Sequence, residues 1–394
     1  MSSIELLPLL TASSTKTWKS CARKYYYHYV LRYRSCAPSE ARDFGTIMHG
    51  AWEAYWRARK RGANNEERWT AAVGALPESL DPYKFAKASA MLMGYCSVWD
   101  LRKNIQVLGV ERLFRLPLIN PDTGHASRTW QLGGKVDVIV RIDGKLAVIE
   151  HKTSSEDTEP GSVYRMRLLL DGQVSQYFEG GDEIVRRLGL GDKIDMVVYD
   201  ISQKPKLRVR EATPEEDRRY TKEKSRICPE CKKKSSGPAP HQFTMVDDET
   251  GEVSEYVCAE GRIITSPGGV LHANQRDRDE TPDEYFERCV AEISSDLNGY
   301  FQQMDVFRLE AEREEYAWDM WQTAEMIRES RKKNRFPKNP ASCFEYHSPC
   351  SFWQVCTRQA DLKNSLLYRI AAEENEELME HEDTVKETAS AGAT

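Results

Sequence analysis

The sequence predicts an α/β protein, and three observations predict it. Residues 133–152, GGKVDVIVRIDGKLAVIEHK, read as a β-hairpin. A helical pattern from Asp171 to about Leu188 and an apolar strand over 194–201 follow it. Another strand pattern, 107–119, comes before it, and long helical patterns flank the whole block. The 394 residues suffice for a sizeable core, in two lobes or in one domain with large insertions.

Composition narrows the function. A formal net charge of −6 gives no global attraction to nucleic acid, so any DNA contact must come from local basic patches. No apolar run approaches the roughly 18–20 residues of a membrane span. The N-terminal stretch is briefly apolar without a basic lead, so it reads as no signal peptide, and a cytoplasmic location is expected. In that reducing compartment, clustered members of the ten cysteines suggest metal ligation more than disulfides.

The N-terminal part, 1–106, reads as helical. Residues 11–33 suit one capped helix, with Ser13 or Ser14 as N-cap. Tyr25, Tyr26, Tyr27, Tyr29 and Tyr33 lie there among Arg23, Lys24, Arg32 and Arg34. That mixture can stack bases and bind phosphates, but a half-buried aromatic helix is the preferred reading. A second helix over 43–61 carries the apolar stripe Ile47, Met48, Ala51, Trp52 and Tyr55, with His49 as its odd member. Residues 65–104 are helical, interrupted at Pro82.

The core, 107–212, holds the chemistry. Val136, Val138 and Val140 alternate on the first hairpin strand, Asp143-Gly144 marks the turn, and Leu146-Ala-Val-Ile149 opens the second strand. Glu150 and Lys152 share one face of that strand, and His151 takes the other. Two carboxylates, Asp137 and Glu150, converging beside a lysine suit a hard divalent cation and a polarised water. Gln173 and Tyr177, four apart, share a helical face.

Residues 213–280 are rich in Lys, Glu, Gly and Pro. Cys228-Pro-Glu-Cys231 and Cys258, with a strand pair over 242–246 and 253–257, resemble a small zinc-ribbon insertion. His241 is the preferred fourth ligand and His272 the alternative. Residues 281–372 read as C-terminal helices, beginning at Thr281-Pro-Asp-Glu, with Arg308, Glu310, Glu312, Arg313, Glu314 and Glu315 on solvated faces. A basic run ending at Arg335 is either a DNA-backbone contact or the favourable positive end of a helix. Cys343, Cys350 and Cys356 then fall within 14 residues, which argues for a cluster or zinc site. The acidic tail, 373–394, is expected to be flexible.

Taken in order, Gly45-Thr-Ile-Met-His49, Asp137, Glu150-His-Lys152 and Gln173-x-x-x-Tyr177 resemble the PD-(D/E)XK nuclease superfamily in its RecB/AddB form. The resemblance implies a restriction-endonuclease-like core, a central mixed sheet flanked by helices. It also implies that Asp137 and Glu150, with His49 and the backbone carbonyl of His151, hold one or two Mg²⁺ or Mn²⁺ ions. Lys152 would position or activate the attacking water, and Gln173 and Tyr177 would orient the lysine and the substrate. Glu111 aligns with an acidic position often seen in that family and would stand behind the ligands. AddB-type and CRISPR-adaptation-type nucleases place one cysteine before the core and three after it, around a [4Fe-4S] cluster. Cys21, Cys343, Cys350 and Cys356 follow that layout. Their family spacing is Cys-x2-Cys-x5-Cys, whereas the first interval here is Cys-x6-Cys, and His347 occupies the position of the shorter spacing. Cys343 is preferred to His347 because four thiolates are the commoner ligand set. Zinc on the same four cysteines is the alternative. Either centre would act as a staple, worth roughly 4–5 kcal/mol by analogy with a disulfide.

The function implied is a metal-dependent DNA nuclease, an exonuclease acting on single- or double-stranded DNA ends in recombination or repair. The sequence lacks a Gly-x-x-x-x-Gly-Lys-Ser/Thr motif, so no helicase motor is read, and a free-standing enzyme such as phages or mobile elements encode fits. A helicase or recombinase partner could dock on the Cys228 segment. The alternative is a non-catalytic DNA-binding scaffold subunit of a helicase–nuclease or recombination complex, which the complete catalytic set disfavours.

Overall fold

The computed structural model describes residues 7–37, 40–219, 242–246, 253–259, 262–263, 271–345 and 348–378. The chain divides into two compact units, residues 1–206 with 289–394 and residues 207–288.

In the first unit, β1 (Leu9–Leu10) leads into α1 (Ala12–Ser20). The N-cap is Thr11 rather than Ser13 or Ser14. Its hydroxyl accepts from the Ser14 N–H at 3.1 Å, and the Ser14 hydroxyl accepts from the Thr11 N–H at 2.9 Å. Such a cap stabilises by about 1 kcal/mol. The single helix expected over 11–33 is broken: Cys21 is extended (φ −159°), and α2 (Ala22–Tyr25) and a π-helical turn, Tyr26–Val30, follow. Tertiary bonds favour the break, because the Asn339 side chain donates to the Ser20 carbonyl at 2.7 Å and its N–H to Cys21 Sγ at 3.4 Å. Tyr25, Tyr27 and Tyr29 are buried.

Next come β2 (Tyr33–Ser35), α3 (Glu40–Lys60), α4 (Asn65–Gly74) and α5 (Pro82–Asp100). Pro82 opens α5 behind the Asp81 cap, where its missing N–H is no loss. β3 (Ile105–Ile119), β4 (Ala126–Ile142) and β5 (Lys145–Ser154) follow. Asp143 and Gly144 both have positive φ, 48° and 85°, as a tight hairpin turn requires. A short helix, α6 (Val163–Leu169), follows, and Ser162 caps it. Then come α7 (Gly172–Arg187), capped by Asp171, and β6 (Met196–Gln203).

The second unit contains β7 (Gln242–Val246), β8 (Val253–Ala259) and β9 (Arg262–Ile263). β7 pairs antiparallel with β8 from Gln242↔Val257 to Val246↔Val253, the strand pair expected there. Cys228, Cys231 and His241 lie outside the described residues, and Cys258 is described only as backbone on β8.

Helix α8 (Pro282–Ser295) opens at the expected Thr281 cap. The helix predicted over 281–332 is then interrupted by a short α9 (Leu297–Tyr300) and a strand, β10 (Phe301–Val306), before α10 (Glu310–Lys333). β10 pairs antiparallel with β6, and its Gln302, Gln303 and Asp305 obscure the strand pattern in the sequence. Arg313 is not solvated as expected: it bridges Glu179 (2.7 Å) and Asp182 (2.9 Å), clamping α10 onto α7. Arg308 is also enclosed, donating to Ser175 Oγ at 3.1 Å. Beyond lie β11 (Phe344–Glu345), β12 (Ser348–Pro349), α11 (Trp353–Cys356) and β13 (Tyr368–Ile370). β13 pairs with β2. The tail is thus fixed through residue 378 rather than free from 373, with Glu374 on Arg331 (2.6 Å) and Glu376 on Arg369 (2.9 Å).

The main sheet has the order β1-β4-β5-β6-β10, with β3 also on β4. It is mixed: β1–β4 and β5–β6 run parallel and the other pairs antiparallel. Helix α7 covers one face, joining Val174, Phe178 and Ile184 to Phe114, Ile139, Val148 and Val197. On the other face α3 and α5 bring Trp52, Trp56, Tyr95 and Trp99 around His151. Full burial of each such large side chain contributes about 1.5–3 kcal/mol. The β4–β5 pairing ends at Val138↔Ile149, while β5 stays paired with β6 to Ser154. The two strands therefore part at the positions of Asp137 and Glu150.

Candidate active site

Glu150 and Lys152 point toward α7, and His151 points away, as strand alternation demands. Lys152 Nζ donates to Glu150 Oε1 at 2.6 Å and to Gln173 Oε1 at 3.0 Å. Gln173 Nε2 donates to the same Glu150 oxygen at 3.0 Å and meets the Tyr177 hydroxyl at 2.6 Å. Asp171 caps α7 two residues before Gln173, which fixes where the helix starts and therefore where the amide points. Asp137 Oδ2 accepts the His151 N–H at 2.9 Å and stands 3.5 Å from His49 Nδ1 on α3. All six predicted side chains thus meet where β4 and β5 part. The sequence placed them in order, and the fold brings them together.

The electrostatics of the cluster are uneven. Burial pushes Glu150 upward, but Lys152, charged and hydrogen-bonded to it, outweighs burial and holds the carboxyl below its ordinary pKa. Asp137 goes the other way: burial raises it well above the usual range, and the charges of Glu150 and Glu111 raise it further. Burial would lower Lys152, but Glu150 outweighs it and raises the lysine. Enclosure lowers His49 to about 4, with His151 next to it adding to the effect, although 37% of the His49 side chain stays exposed. His49 is therefore a neutral imidazole near neutrality, so its contact with Asp137 is not an ion pair.

One grouping beside the site was missed from the sequence, the one around Asp200, whereas Glu111 was expected. Behind the strand, His151 Nδ1 meets Asp200 Oδ2 at 3.1 Å, and Asp200 also accepts from Trp99 Nε1 (3.0 Å) and Gln303 Nε2 (3.2 Å). Asp200 is fully buried. An aspartate inside the otherwise apolar run IDMVVYDI was the signal for it. Glu111, whose φ of 52° is left-handed, pairs with Lys135 and adds to the charge on Asp137. A non-glycine residue held there beside a site is a strained position of the kind that clusters at active sites.

The cysteines converge as well. Asn339 joins two of them: its N–H reaches Cys21 Sγ, and its carbonyl accepts from Cys343 Sγ at 3.7 Å. The Cys350 N–H donates to the Cys343 carbonyl at 2.8 Å. Burial raises the Cys356 thiol, and the nearby Cys350 and Cys21 sulfurs raise it further. Tyr27, Phe352 and Tyr368 pack against this loop. His347 lies outside the described residues. Among the described residues, no group of three or more His, Cys, Asp and Glu side chains is arranged to hold a metal ion.

The sequence pattern of the PD-(D/E)XK nuclease superfamily matches residues 9–357. The chain belongs to that superfamily, and its mixed sheet flanked by helices is consistent with the superfamily's fold. Among solved structures it is similar to one titled "Crystal structure of SSO0001", at 17% identity and a TM-score of 0.18. That alignment covers 39% of this chain and 60% of the other. No curated protein matches. No helix among the described residues is long and apolar enough to cross a membrane.

Proposed function

We propose that this chain is a metal-dependent deoxyribonuclease of the RecB/AddB kind, an exonuclease that hydrolyses phosphodiesters at DNA ends. The observation that carries the reading is the Glu150–Lys152–Gln173 triangle beside Asp137, on strands that part at that point. The residue types, two carboxylates and an imidazole, suit a hard divalent cation such as Mg²⁺ or Mn²⁺. Asp137, Glu150, the neutral His49 and the His151 carbonyl would hold it, and Glu150 Oε2 is buried with no hydrogen-bond partner. When bound, the ion would supply Lewis-acid stabilisation of phosphate charge and a more acidic water. Lys152, held on two sides, would position the attacking water, and the Gln173 amide would keep the ammonium from swinging away. Tyr177 would brace Gln173 from below.

For Cys21, Cys343, Cys350 and Cys356 the same reading gives a structural [4Fe-4S] cluster. What supports it is that Cys21 and Cys343 both meet the Asn339 backbone and that Cys350 and Cys21 act on the Cys356 thiol, in chemistry suited to iron or zinc. Its place would be that of a staple between the two ends of the chain. The candidate zinc site at Cys228 remains a sequence expectation.

The test uses end-labelled linear DNA and closed circular DNA, single- and double-stranded, with Mg²⁺ or Mn²⁺, and protein purified without oxygen. Cleavage of linear DNA alone, lost in Glu150→Gln, is expected. Equal cleavage of circles would overturn the exonuclease assignment, and activity retained by Glu150→Gln would overturn the site. Iron and sulfide analysis, repeated on Cys350→Ala, separates an iron–sulfur cluster from zinc.

A further inference from the structure

A cleft of about 580 Å³ runs from Lys152 and Gln173 out between α1, α6, α7 and α10. Its volume, within the usual range of ligand pockets, has room for a short run of one strand rather than a duplex. Its wall is mixed in a way that suits nucleotides. Leu168, Leu170, Tyr164 and Met320 supply apolar surface, and Leu170 is 89% exposed. Two enclosed groups on the lining, Gln176 Oε1 and the Tyr316 hydroxyl, have no hydrogen-bond partner.

Beyond Lys152, the three cations of the cleft share one property: each has a carboxylate partner on the cleft wall. Lys19 meets Asp319 at 2.9 Å, Lys16 meets Asp171 at 3.8 Å, and Arg167 pairs with Glu156. Lys19 and Asp319 are about half exposed, as are Arg167 and Glu156. Exposed pairs of this kind are weak and screened by salt, so a phosphate can displace the carboxylate. A cleft built only for tight polyanion binding would leave its cations unopposed.

We propose that these carboxylates are exchangeable restraints. The phosphates of one nucleic-acid strand replace Asp319, Asp171 and Glu156 as partners of Lys19, Lys16 and Arg167, and the acids reclaim the cations when the product leaves. Asp319 thereby limits affinity and hastens release. This inference rests on the nuclease reading for the identity of the strand, but its main readout is binding.

The experiment measures fluorescence anisotropy of a labelled oligothymidylate with the full chain in EDTA. Asp319→Asn is expected to bind about two- to fivefold more tightly, the range an exposed ion pair spans. Lys19→Ala should bind more weakly and show a shallower salt dependence, one phosphate contact being lost. In the double variant the gain from Asp319→Asn should vanish, because the carboxylate then has no cation to hold. In steady-state cleavage, Asp319→Asn should lower KM and kcat together, as slowed product release requires. Unchanged or weaker binding by Asp319→Asn, or a gain that survives removal of Lys19, overturns the inference. Its failure is distinct from that of the nuclease reading, which falls if the wild type cleaves no DNA with Mg²⁺ or Mn²⁺.

Discussion

Replacing Lys152 with methionine tests how the carboxylates of the candidate site are balanced. Glu150 is 4% exposed at its side chain and Lys152 is 24% exposed, so solvent screens their contact little. Removing the ammonium leaves a buried carboxylate next to Asp137, and Glu150 answers by taking up a proton. Protonating a glutamate with an ordinary pKa of 4.5 at pH 7 costs about 3.4 kcal/mol, at 1.36 kcal/mol per pH unit. That figure caps the electrostatic penalty, and about 2–3 kcal/mol is expected near neutrality. The sign with pH follows. In the wild type the depressed Glu150 contributes stability above its unfolded pKa and loses it as pH falls through the folded pKa. In Lys152→Met the carboxyl is raised, so the variant's deficit grows with pH and shrinks toward pH 5. The raised Lys152 loses its own contribution only at alkaline pH, outside this window. Urea unfolding in EDTA at pH 5.5 and pH 8 measures both. A deficit that does not depend on pH would refute the balance described here. The variant should also gain more stability from Mg²⁺ than the wild type does, since a cation at the carboxylates replaces the lost charge.

Asp200→Asn puts an amide where three donors converge, so it should destabilise by about 1–3 kcal/mol in urea unfolding. Because the His151 N–H holds Asp137, the same variant should bind Mn²⁺ about 10–100-fold more weakly, as calorimetry would show. Gly180→Ala places a methyl 2.4 Å from the Phe114 ring across the α7–β3 contact. Overpacking there should cost about 1–3 kcal/mol without altering the pH dependence, read by the same unfolding assay.

Local signals carried the core. The Asp143-Gly144 turn and the valine alternation fixed the hairpin, and the spacing of Gln173 and Tyr177 placed both on one helical face. Long-range partners explain most of what the sequence hid. Nothing within residues 11–33 reports the Asn339 contacts that break the helix at Cys21. β10 is a polar edge strand whose identity depends on β6 being beside it. Arg313 reads as solvated because its acid partners, Glu179 and Asp182, lie more than a hundred residues earlier. The order of the site residues was legible, but their charge states depend on burial and on one another.

On the proposed reading, those charge states set how the site would meet a phosphodiester. Without a cation, Asp137 is driven toward its neutral form, Lys152 is neutralised by Glu150, and His49 carries no charge. The cluster then presents no net positive charge to a phosphodiester. With a divalent cation bound, Asp137 can ionise, and two carboxylates against the lysine and the ion leave one excess positive charge, which one phosphate neutralises. Cation and strand should therefore bind with positive coupling, while protons compete with the cation at Asp137. A Ca²⁺ titration of oligonucleotide affinity tests this: tightening with Ca²⁺ is expected, more at pH 8 than at pH 6, and lost in Asp137→Asn. Affinity indifferent to the cation would mean that the strand is held by the cleft alone, and that the carboxylates do not govern how it seats.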